Sequence, residues 1–356
     1  MKIFSETGIN ITNFLSEHKQ VILFGASLSG TNALKVLKGK GIDVLFFCDN
    51  DTKKHGASIE GIKIYHPSQL LKHKQETVLI SSDYFGEIAL QLKGMGIPNF
   101  YYFGFCFDFD RWQGHFDSQR LKASQGRIDM AHNLLDDEGS RELFETLVRF
   151  RYTFGFTGVK RSPFKQYLHP KVKPTPGDTI IDGGAWTGNT AEAFCRELSG
   201  RCQIYSFEPD GENFRKLQQN VVTCNLGASV NPVKAGLWAK STVLKFNSTA
   251  ENSMQYQIDE NGSIEVQVTS VDEFVAERKI KIDLIKMDIE GSEVEALLGS
   301  QETIRNFRPR LQICSYHQFD DLWEIPILIK ELYPEYSLFL GHHSQNLFET
   351  IVYAHS

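Results

Sequence analysis

The sequence predicts an α/β protein with two doubly wound, Rossmann-like domains joined by a helical connector. Three observations support this prediction. The chain has 356 residues, which suits two domains of common size. Strand and helix patterns alternate in both halves, as in parallel sheets covered by helices. The stretch between the halves is polar and poor in strand patterns. We therefore place the N-terminal domain at 1–107, the connector at 108–162 and the C-terminal domain at 163–356.

Composition narrows the class of protein. Apolar residues make up 41% of the chain and charged residues 23%, which is typical of a globular protein. A net charge of −6 gives no general attraction to phosphates, so no nucleic-acid partner is expected. The six cysteines form no CxxC pair, which argues for reduced core thiols and against a zinc site. We see no membrane-span pattern and no signal peptide, so we expect a cytoplasmic protein.

The N-terminal domain begins with the buried-strand pattern VILFGA, followed by a turn, a helix pattern and the strand pattern IDVLFFCDN. The turn supplies Gly25, Ser27 and Gly30, and Asp49 lies at the end of the second strand. This is a dinucleotide fingerprint whose middle glycine is replaced, and a serine there hinders backbone approach to a pyrophosphate. Two interpretations stay open: a nucleotide-type ligand such as a nucleotide sugar, or a scaffold that supports a homo-oligomer.

The C-terminal domain follows a connector that contains the amphipathic helix pattern RELFETLVRF. The Pro-rich stretch LHPKVKPTPGD then leads into the strand TIIDGG, and strand–helix alternation resumes. At the end of the sequence, YSLFLGHH and ETIVYA should pair as an antiparallel hairpin that closes the sheet.

A glycine turn follows the first strand of this domain. The strand ends in Asp182 and enters a turn that contains Gly183, Gly184, Thr187 and Gly188. Small residues let a ligand lie against the backbone. The helix after the turn directs free N–H groups and its positive dipole end toward the same place, which suits a carboxylate or phosphate.

The next strand, CQIYSFEP, ends in Glu208, where an acid can accept hydrogen bonds from both ribose hydroxyls. NAD would use the same acid, but the turn reads D-G-G-x-x-T-G and not the dinucleotide pattern G-x-G-x-x-G. No acid follows the third strand, so Gly236, Leu237 and the flat Trp238 are the candidates for the adenine edge. Each feature alone fits an ordinary turn or surface acid, whereas together they predict a nucleoside cofactor.

The C-terminal half resembles the FkbM-type methyltransferases. The similarity is carried by QYLHPKVKPTPGDTIIDGGAWTGNT, YSFEPDGENFRKLQQN, TSVDEFVAERKIKIDLIKMDIEGSEVEALLGSQETI and the terminal stretch from SYHQFDD to ETIVYA. The resemblance implies a class I methyltransferase sheet, S-adenosylmethionine as cofactor and a hydroxyl acceptor, often on a sugar. It assigns Asp182, Gly183, Gly184 and Gly188 to the cofactor loop and Glu208 to the ribose. The sequence departs from many relatives at Trp186 and Thr187, which leaves side-chain contacts there open.

The N-terminal half resembles the nucleotide-binding-like domains attached to bacterial surface-sugar enzymes. The similarity is carried by CDND followed by G-x-x-I-x-G. The resemblance implies that the chain takes part in the modification of sugars. It leaves open whether the N-terminal domain still binds a nucleotide-type ligand.

The stretch IDLIKMDIEGSEVEALLG predicts a strand that places Asp288 and Glu290 at its tip. His317 follows the next strand, RLQICSY, with Asp320 and Asp321 just after it. Methyl transfer to an alcohol requires alignment of the acceptor and removal of a proton, so Asp288, Glu290 and His317 are the catalytic candidates.

Several side chains near these candidates have more than one interpretation. The carboxylates and the histidine could instead hold a divalent metal, an alternative that we do not favour from sequence because a His–Asp pair needs no metal. Glu293 is expected to compensate the helix dipole. Either His342 or His343 could line an acceptor pocket.

Two rival functions remain. An NAD- or nucleotide-sugar-dependent sugar-modifying enzyme would use the N-terminal domain, but no Tyr-x-x-x-Lys pair lies in a suitable context. A non-catalytic assembly protein would show an eroded glycine loop or a missing strand-tip acid, and neither loss is present. The sequence therefore favours an S-adenosylmethionine-dependent O-methyltransferase with a sugar-containing acceptor.

Overall fold

A computed structural model describes residues 2–154, 159–248, 256–258 and 264–356. The chain divides into two compact units, each built from segments that are separate in sequence. The N-terminal unit comprises Met1–Asp129, Glu142–Arg161 and Ser344–Phe348, and the C-terminal unit comprises Met130–Arg141, Ser162–His343 and Glu349–Ser356. Both units are α/β, as predicted.

The N-terminal unit contains a six-stranded sheet of order β3-β4-β2-β1-β5-β6. Its strands are β1 (Gln20–Phe24), β2 (Asp43–Cys48), β3 (Ser58–Ile59), β4 (Ile62–Tyr65), β5 (Val78–Ile80) and β6 (Phe100–Tyr102). All pairs are parallel except the short hairpin of β3 with β4. The predicted doubly wound arrangement is confirmed, because the chain leaves β1 toward β2 on one side and β5 on the other.

Helices alternate with these strands along the chain and occupy the stretch predicted as a connector. They are α1 (Ile11–Ser16), α2 (Leu28–Gly39), α3 (Phe85–Gly94), α4 (Phe109–Trp112), α5 (Ser118–Ala123), α6 (Gln125–Leu134) and α7 (Glu138–Thr153). Short 3-10 helices lie at Ile3–Ser5, Thr52–Lys54, Pro67–Lys72, Gly104–Asp108 and Gln113–Phe116. The pattern SQLLKHK, predicted to be helix-like, lies largely in the 3-10 helix that begins at Pro67.

The C-terminal unit contains a seven-stranded sheet of order β16-β17-β15-β14-β7-β8-β9. A smaller sheet has the order β10-β13-β11-β12. The strands are β7 (Thr179–Gly183), β8 (Gln203–Phe207), β9 (Val230–Val233), β10 (Gly236–Leu237), β11 (Thr242–Ser248), β12 (Tyr256–Ile258), β13 (Ile264–Thr269), β14 (Leu284–Met287), β15 (Arg310–Cys314), β16 (Ser337–His342) and β17 (Thr350–His355). The predicted terminal hairpin is confirmed, since β16 pairs antiparallel with β17 and Leu340 lies opposite Val352.

The helices of this unit are α8 (Asn189–Glu197), α9 (Gly211–Thr223), α10 (Val271–Arg278), α11 (Glu293–Leu298), α12 (Gln301–Phe307) and α13 (Asp321–Leu332). Helix α8 packs Phe194 into a core that includes Ile180 of β7 and Ile204 of β8. None of the helices in the described part of the chain is long and apolar enough to cross a membrane.

Strand β7 is the topological switch point of the C-terminal sheet. It pairs in parallel with β8 on one side and with β14 on the other. Connections that leave a central strand in opposite directions open a crevice at its carboxyl end, where α/β sheets bind ligands. The predicted glycine turn follows β7 at this end.

Candidate functional site

A buried ion pair between β7 and β14 contacts the glycine turn. Lys286 on β14 lies opposite Asp182 on β7, and its Nζ is 3.0 Å from Asp182 Oδ1. The same ammonium donates hydrogen bonds of 3.0 Å to the carbonyl oxygens of Gly183 and Gly184. Burial alone would lower the pKa of Lys286, but Asp182 and Asp288 raise it above its usual value. Asp182 therefore acts on the turn through Lys286, which it holds in place.

The turn requires glycine for steric reasons. Gly184 has a φ of +70°, and a Cβ on it would lie 1.8 Å from the carbonyl oxygen of Asp288. Gly188 has a φ of +92° and is the N-cap residue of α8. Thr187 Oγ1 donates to Asn189 Oδ1 at 3.2 Å, a contact within the turn. The loop therefore touches the β14 tip that carries the predicted chemistry.

Glu208 lies at the end of β8 and faces the glycine turn. Its Oε2 accepts a hydrogen bond of 2.8 Å from the backbone N–H of Trp186, and its Oε1 accepts one of 2.9 Å from Asp210. The side chain is buried, and this burial raises the pKa of Glu208 to about 7. Each carboxylate oxygen can accept a further hydrogen bond.

The predicted adenine-edge residues, Gly236 and Leu237, form β10. Leu237 is buried, and its Cδ1 would lie 2.7 Å from a Cβ placed on Gly183. Gly236 lies beside Pro209, the residue after Glu208. Trp238 is partly buried and continues β10 with a 2.9 Å hydrogen bond to Thr269. These residues therefore adjoin the turn and the strand-tip acid.

His317 is buried in the middle of a carboxylate cluster. Its Nδ1 is 2.9 Å from Glu293 Oε1, and its Nε2 is 3.4 Å from Asp288 Oδ1 and 3.9 Å from Glu290 Oε2. Burial alone would lower the pKa of His317, but Glu293, Glu290 and Asp288 raise it to about 10. The three predicted catalytic side chains are thus brought together, with the imidazole as a cation at neutral pH.

Asp288 is held by two tyrosines. Its Oδ2 accepts a hydrogen bond of 2.9 Å from Tyr167, and its Oδ1 accepts one of 3.3 Å from Tyr316. Burial alone would raise the pKa of Asp288, but Lys286 and His317, together with the Tyr167 hydrogen bond, lower it. Asp288 is therefore a stable carboxylate that still exposes 27% of its side chain.

Glu293 and the tyrosines are the parts of the cluster that sequence reasoning did not place there. Glu293 opens α11 and accepts backbone hydrogen bonds of 2.8 Å from Ile289 and 2.9 Å from Gly291, in addition to its contact with His317. Tyr167 precedes the first strand of the unit, and Tyr316 adjoins His317. Helix periodicity gives no signal for any of these contacts.

The remaining predicted polar residues make hydrogen bonds or cap a helix outside the His317 cluster. Asp321 is buried and accepts a hydrogen bond of 2.6 Å from the backbone N–H of Gln318, while Asp320 is the N-cap residue of α13. His342 Nδ1 lies 2.8 Å from Thr350 Oγ1, and His343 Nε2 lies 3.1 Å from Tyr353 Oη. These two histidine contacts lead to strand β17.

In the N-terminal unit, Asp49 repeats the arrangement of Glu208. Its carboxylate accepts hydrogen bonds of 2.8 Å from the backbone N–H groups of Ala26, in the glycine turn, and of Asp51. Lys54 Nζ lies 2.8 Å from the same carboxylate. A nucleotide-type ligand at this turn stays a prediction.

Two family models match separate parts of the chain. The family model of the methyltransferase FkbM domain matches residues 182–346. The model of the C2185-like N-terminal domain matches residues 17–100. This second match does not confirm the resemblance to surface-sugar enzymes, which stays a prediction. No curated protein matches the chain.

Three solved structures show similarity of very different extent. An FkbM methyltransferase from Methylobacillus flagellatus KT has a TM-score of 0.72 and 18% identity, with 99% of this chain and 92% of that chain covered. A putative rRNA methylase from Clostridium thermocellum has a TM-score of 0.36 and 11% identity, covering 55% and 97% of the two chains. A UDP-D-quinovosamine 4-dehydrogenase from Vibrio fischeri has a TM-score of 0.21 and 26% identity, covering 24% and 77%. The last two similarities are too low to support a conclusion.

The first of these structures shares its fold with nearly the whole chain, and the family match begins at Asp182 and spans the glycine turn, Glu208 and the His317 cluster. The predicted resemblance of the C-terminal half is confirmed. Residues 182–346 therefore match the methyltransferase FkbM domain.

Proposed function

We propose that this chain is an S-adenosylmethionine-dependent O-methyltransferase that acts on a hydroxyl of a sugar-containing acceptor. The observation that carries the proposal is the position of Glu208 and the glycine turn at the switch point, with the His317 cluster at the tip of the neighbouring strand β14. Cofactor residues and proton-accepting residues therefore adjoin across Gly184 and Asp288.

The residues around the turn fit the cofactor. Glu208 offers one used and at least one unused acceptor site on each oxygen, which matches two ribose hydroxyls. The N-terminus of α8, with Gly188 as its cap, suits a carboxylate. Gly236 and Leu237 provide an edge for adenine. S-adenosylmethionine supplies a methyl group on a positively charged sulfur. An oxygen nucleophile can attack this methyl carbon and displace the sulfur as S-adenosylhomocysteine.

The cluster supports alignment of a hydroxyl acceptor. Asp288 is a carboxylate that can accept a hydrogen bond from the acceptor and fix its direction, and Glu290 is a second, more exposed carboxylate. His317 is protonated at neutral pH, so in that state it does not accept the proton itself. We assign Asp288 and Glu290 to the acceptor hydroxyl and its proton, and His317 to holding both carboxylates in place.

The sugar-containing acceptor rests on the family resemblance alone. It is tested by incubating the full chain with S-adenosylmethionine labelled in its methyl group and a mixture of glycan precursors, followed by identification of the labelled product. Label on a sugar oxygen is expected. Label on a nitrogen, on a non-sugar hydroxyl or on nucleic acid would refute the proposed acceptor.

The catalytic assignment is tested on the same product. Asp288→Asn should lose about 10²–10⁴-fold in rate, the usual contribution of a positioned proton acceptor. His317→Ala should lose rate on a similar scale, because it removes the group that holds Asp288 and Glu290 in place. Binding of the product S-adenosylhomocysteine should be retained in both. Asp43→Asn, an exposed position at the start of β2, is the matched control and should keep full activity. Full activity of both cluster variants would overturn the assignment.

A further inference from the structure

The imidazole of His317 is oriented in the way that metal-binding histidines are. One ring nitrogen, Nδ1, is 2.9 Å from the fully buried Glu293, which is itself fixed by the N–H groups of Ile289 and Gly291. A carboxylate on one ring nitrogen sets the ring orientation and directs the other nitrogen at a metal in many protein sites. Here the other nitrogen, Nε2, faces Asp288 and Glu290.

One of the two distances around Nε2 matches a shared ligand set, and the other is slightly longer. Bonds of about 2.1 Å to one cation place neighbouring ligand atoms roughly 3.0–3.4 Å apart. Nε2 lies 3.4 Å from Asp288 Oδ1 and 3.9 Å from Glu290 Oε2. Glu293 also has an oxygen within 4.8 Å of ligand atoms of Asp288 and His317, but it contacts the imidazole at Nδ1, on the far side of the ring. Glu290 Oε2 must move at least 0.5 Å closer to Nε2 (3.9 − 3.4) to come within this range.

Charge and exposure favour a cation on that side. Three carboxylates surround one imidazole, while the nearby Lys286 is already paired with Asp182 at 3.0 Å. The exposed fraction of the side chains rises from 0% for Glu293 and 2% for His317 to 27% for Asp288 and 51% for Glu290. The cluster is thus buried at the imidazole, Nε2 included, and reaches solvent through Asp288 and Glu290.

From this geometry we propose that His317 Nε2, Asp288 and Glu290 bind a divalent cation, which displaces the Nε2 proton of the imidazolium into solvent, with Glu293 as the positioning residue behind the imidazole. One nitrogen and two carboxylates suit a cation such as Mn²⁺, which accepts both ligand types. The acceptor hydroxyl of the proposed reaction would approach such a cation from the side on which Glu290 is exposed. This inference deepens the proposed function and rests on it for the identity of the acceptor, whereas cation binding itself does not require it.

The proposal can be tested without an enzyme assay by titrating the full chain with Mn²⁺. Bound Mn²⁺ is measured as the loss of the electron paramagnetic resonance signal of the free ion. We expect saturable binding of one ion per chain. His317→Ala and Asp288→Asn should abolish it. Glu293→Gln should weaken it about 10–100-fold, the usual effect of a residue behind a ligand. Glu295→Gln, two residues further along α11, is the matched control and should bind like the unmodified chain.

The variants at the buried positions His317 and Glu293 could fail to fold. Glu290 is exposed, so Glu290→Gln should fold and still test the site. It should weaken Mn²⁺ binding by about tenfold. Absence of saturable binding at millimolar Mn²⁺, or equal binding by the Asp288, Glu290 and Glu293 variants, would overturn the cation site. Calorimetry with S-adenosylhomocysteine on the same samples separates the two proposals: cofactor binding without Mn²⁺ binding refutes the cation alone, and loss of both refutes the proposed function as well.

Discussion

Lys286 and Asp182 form an ion pair of 3.0 Å in which the side chains are 1% and 0% exposed. The ammonium also donates hydrogen bonds to the carbonyl oxygens of Gly183 and Gly184. It therefore connects strand β14, which leads to Asp288, with the glycine turn. Replacing Lys286 by Met leaves a buried carboxylate without its counterion, which typically costs about 3–5 kcal/mol. We expect urea denaturation to show a loss of that size.

The matched control for this change is Lys281→Met. Lys281 pairs with Asp283 at 2.9 Å, but its side chain is 65% exposed. Exposed pairs contribute about 0–1 kcal/mol, so this variant should unfold close to the unmodified chain. Equal destabilisation by the two substitutions would show that the buried pair does not hold the turn.

Gly184→Ala tests the close approach between the turn and the β14 tip. The new Cβ would lie 1.8 Å from the carbonyl oxygen of Asp288, so the backbone must shift. Gly41 has a φ of +72°, close to the +70° of Gly184, and has open space around it. Gly41→Ala should therefore cost only the left-handed penalty of about 1–2 kcal/mol. Gly184→Ala should cost at least about 1–3 kcal/mol more and weaken cofactor binding. Equal melting temperatures and affinities for the two variants would contradict the contact.

Glu208→Ala tests the ribose position. Hydrogen bonds to a charged group contribute about 1.5–3 kcal/mol, so S-adenosylhomocysteine should bind roughly 10–150-fold more weakly. Glu212→Gln changes an exposed acid four residues further along and should leave calorimetric affinity unchanged. An unaltered affinity in Glu208→Ala would place the ribose elsewhere.

The same carboxyl predicts a pH dependence. Burial raises the pKa of Glu208 to about 7, so the free protein gains a proton there as the pH falls through neutrality. Ribose hydroxyls donate to the ionised form, and binding must then displace that proton. Affinity for S-adenosylhomocysteine should fall by up to about tenfold per pH unit below 7 and level off above it. Glu208→Gln should flatten the profile between pH 5 and 8, and an unchanged slope in that variant would assign the effect to another group.

The sequence was sufficient to predict the elements whose signals are local. The apolar strand before Asp182, the glycine turn and the acid at Glu208 are each predicted from residues within a few positions of one another. The terminal hairpin was predicted for the same reason, because two apolar runs flank a short polar turn. These local patterns fix where parallel strands end, and therefore where the candidate site lies.

The two tyrosines that bind Asp288 could not be predicted, because they come from distant parts of the chain. Tyr167 reaches Asp288 across 121 positions, and Tyr316 across 28. Glu293 fits a helix start by its position, yet its carboxylate also contacts His317, which only the packing of β14 beside β15 brings about. Such contacts depend on sheet order and side-chain direction, which periodicity does not encode.

Calorimetric titration of the full chain with S-adenosylhomocysteine and, separately, with NAD tests the proposed cofactor directly. Because the glycine turn and Glu208 fit a single nucleoside and lack the dinucleotide fingerprint, we expect S-adenosylhomocysteine to bind in the micromolar range, about −8 kcal/mol. NAD should bind far more weakly. Tight binding of NAD with no heat from S-adenosylhomocysteine would contradict an S-adenosylmethionine-dependent methyltransferase.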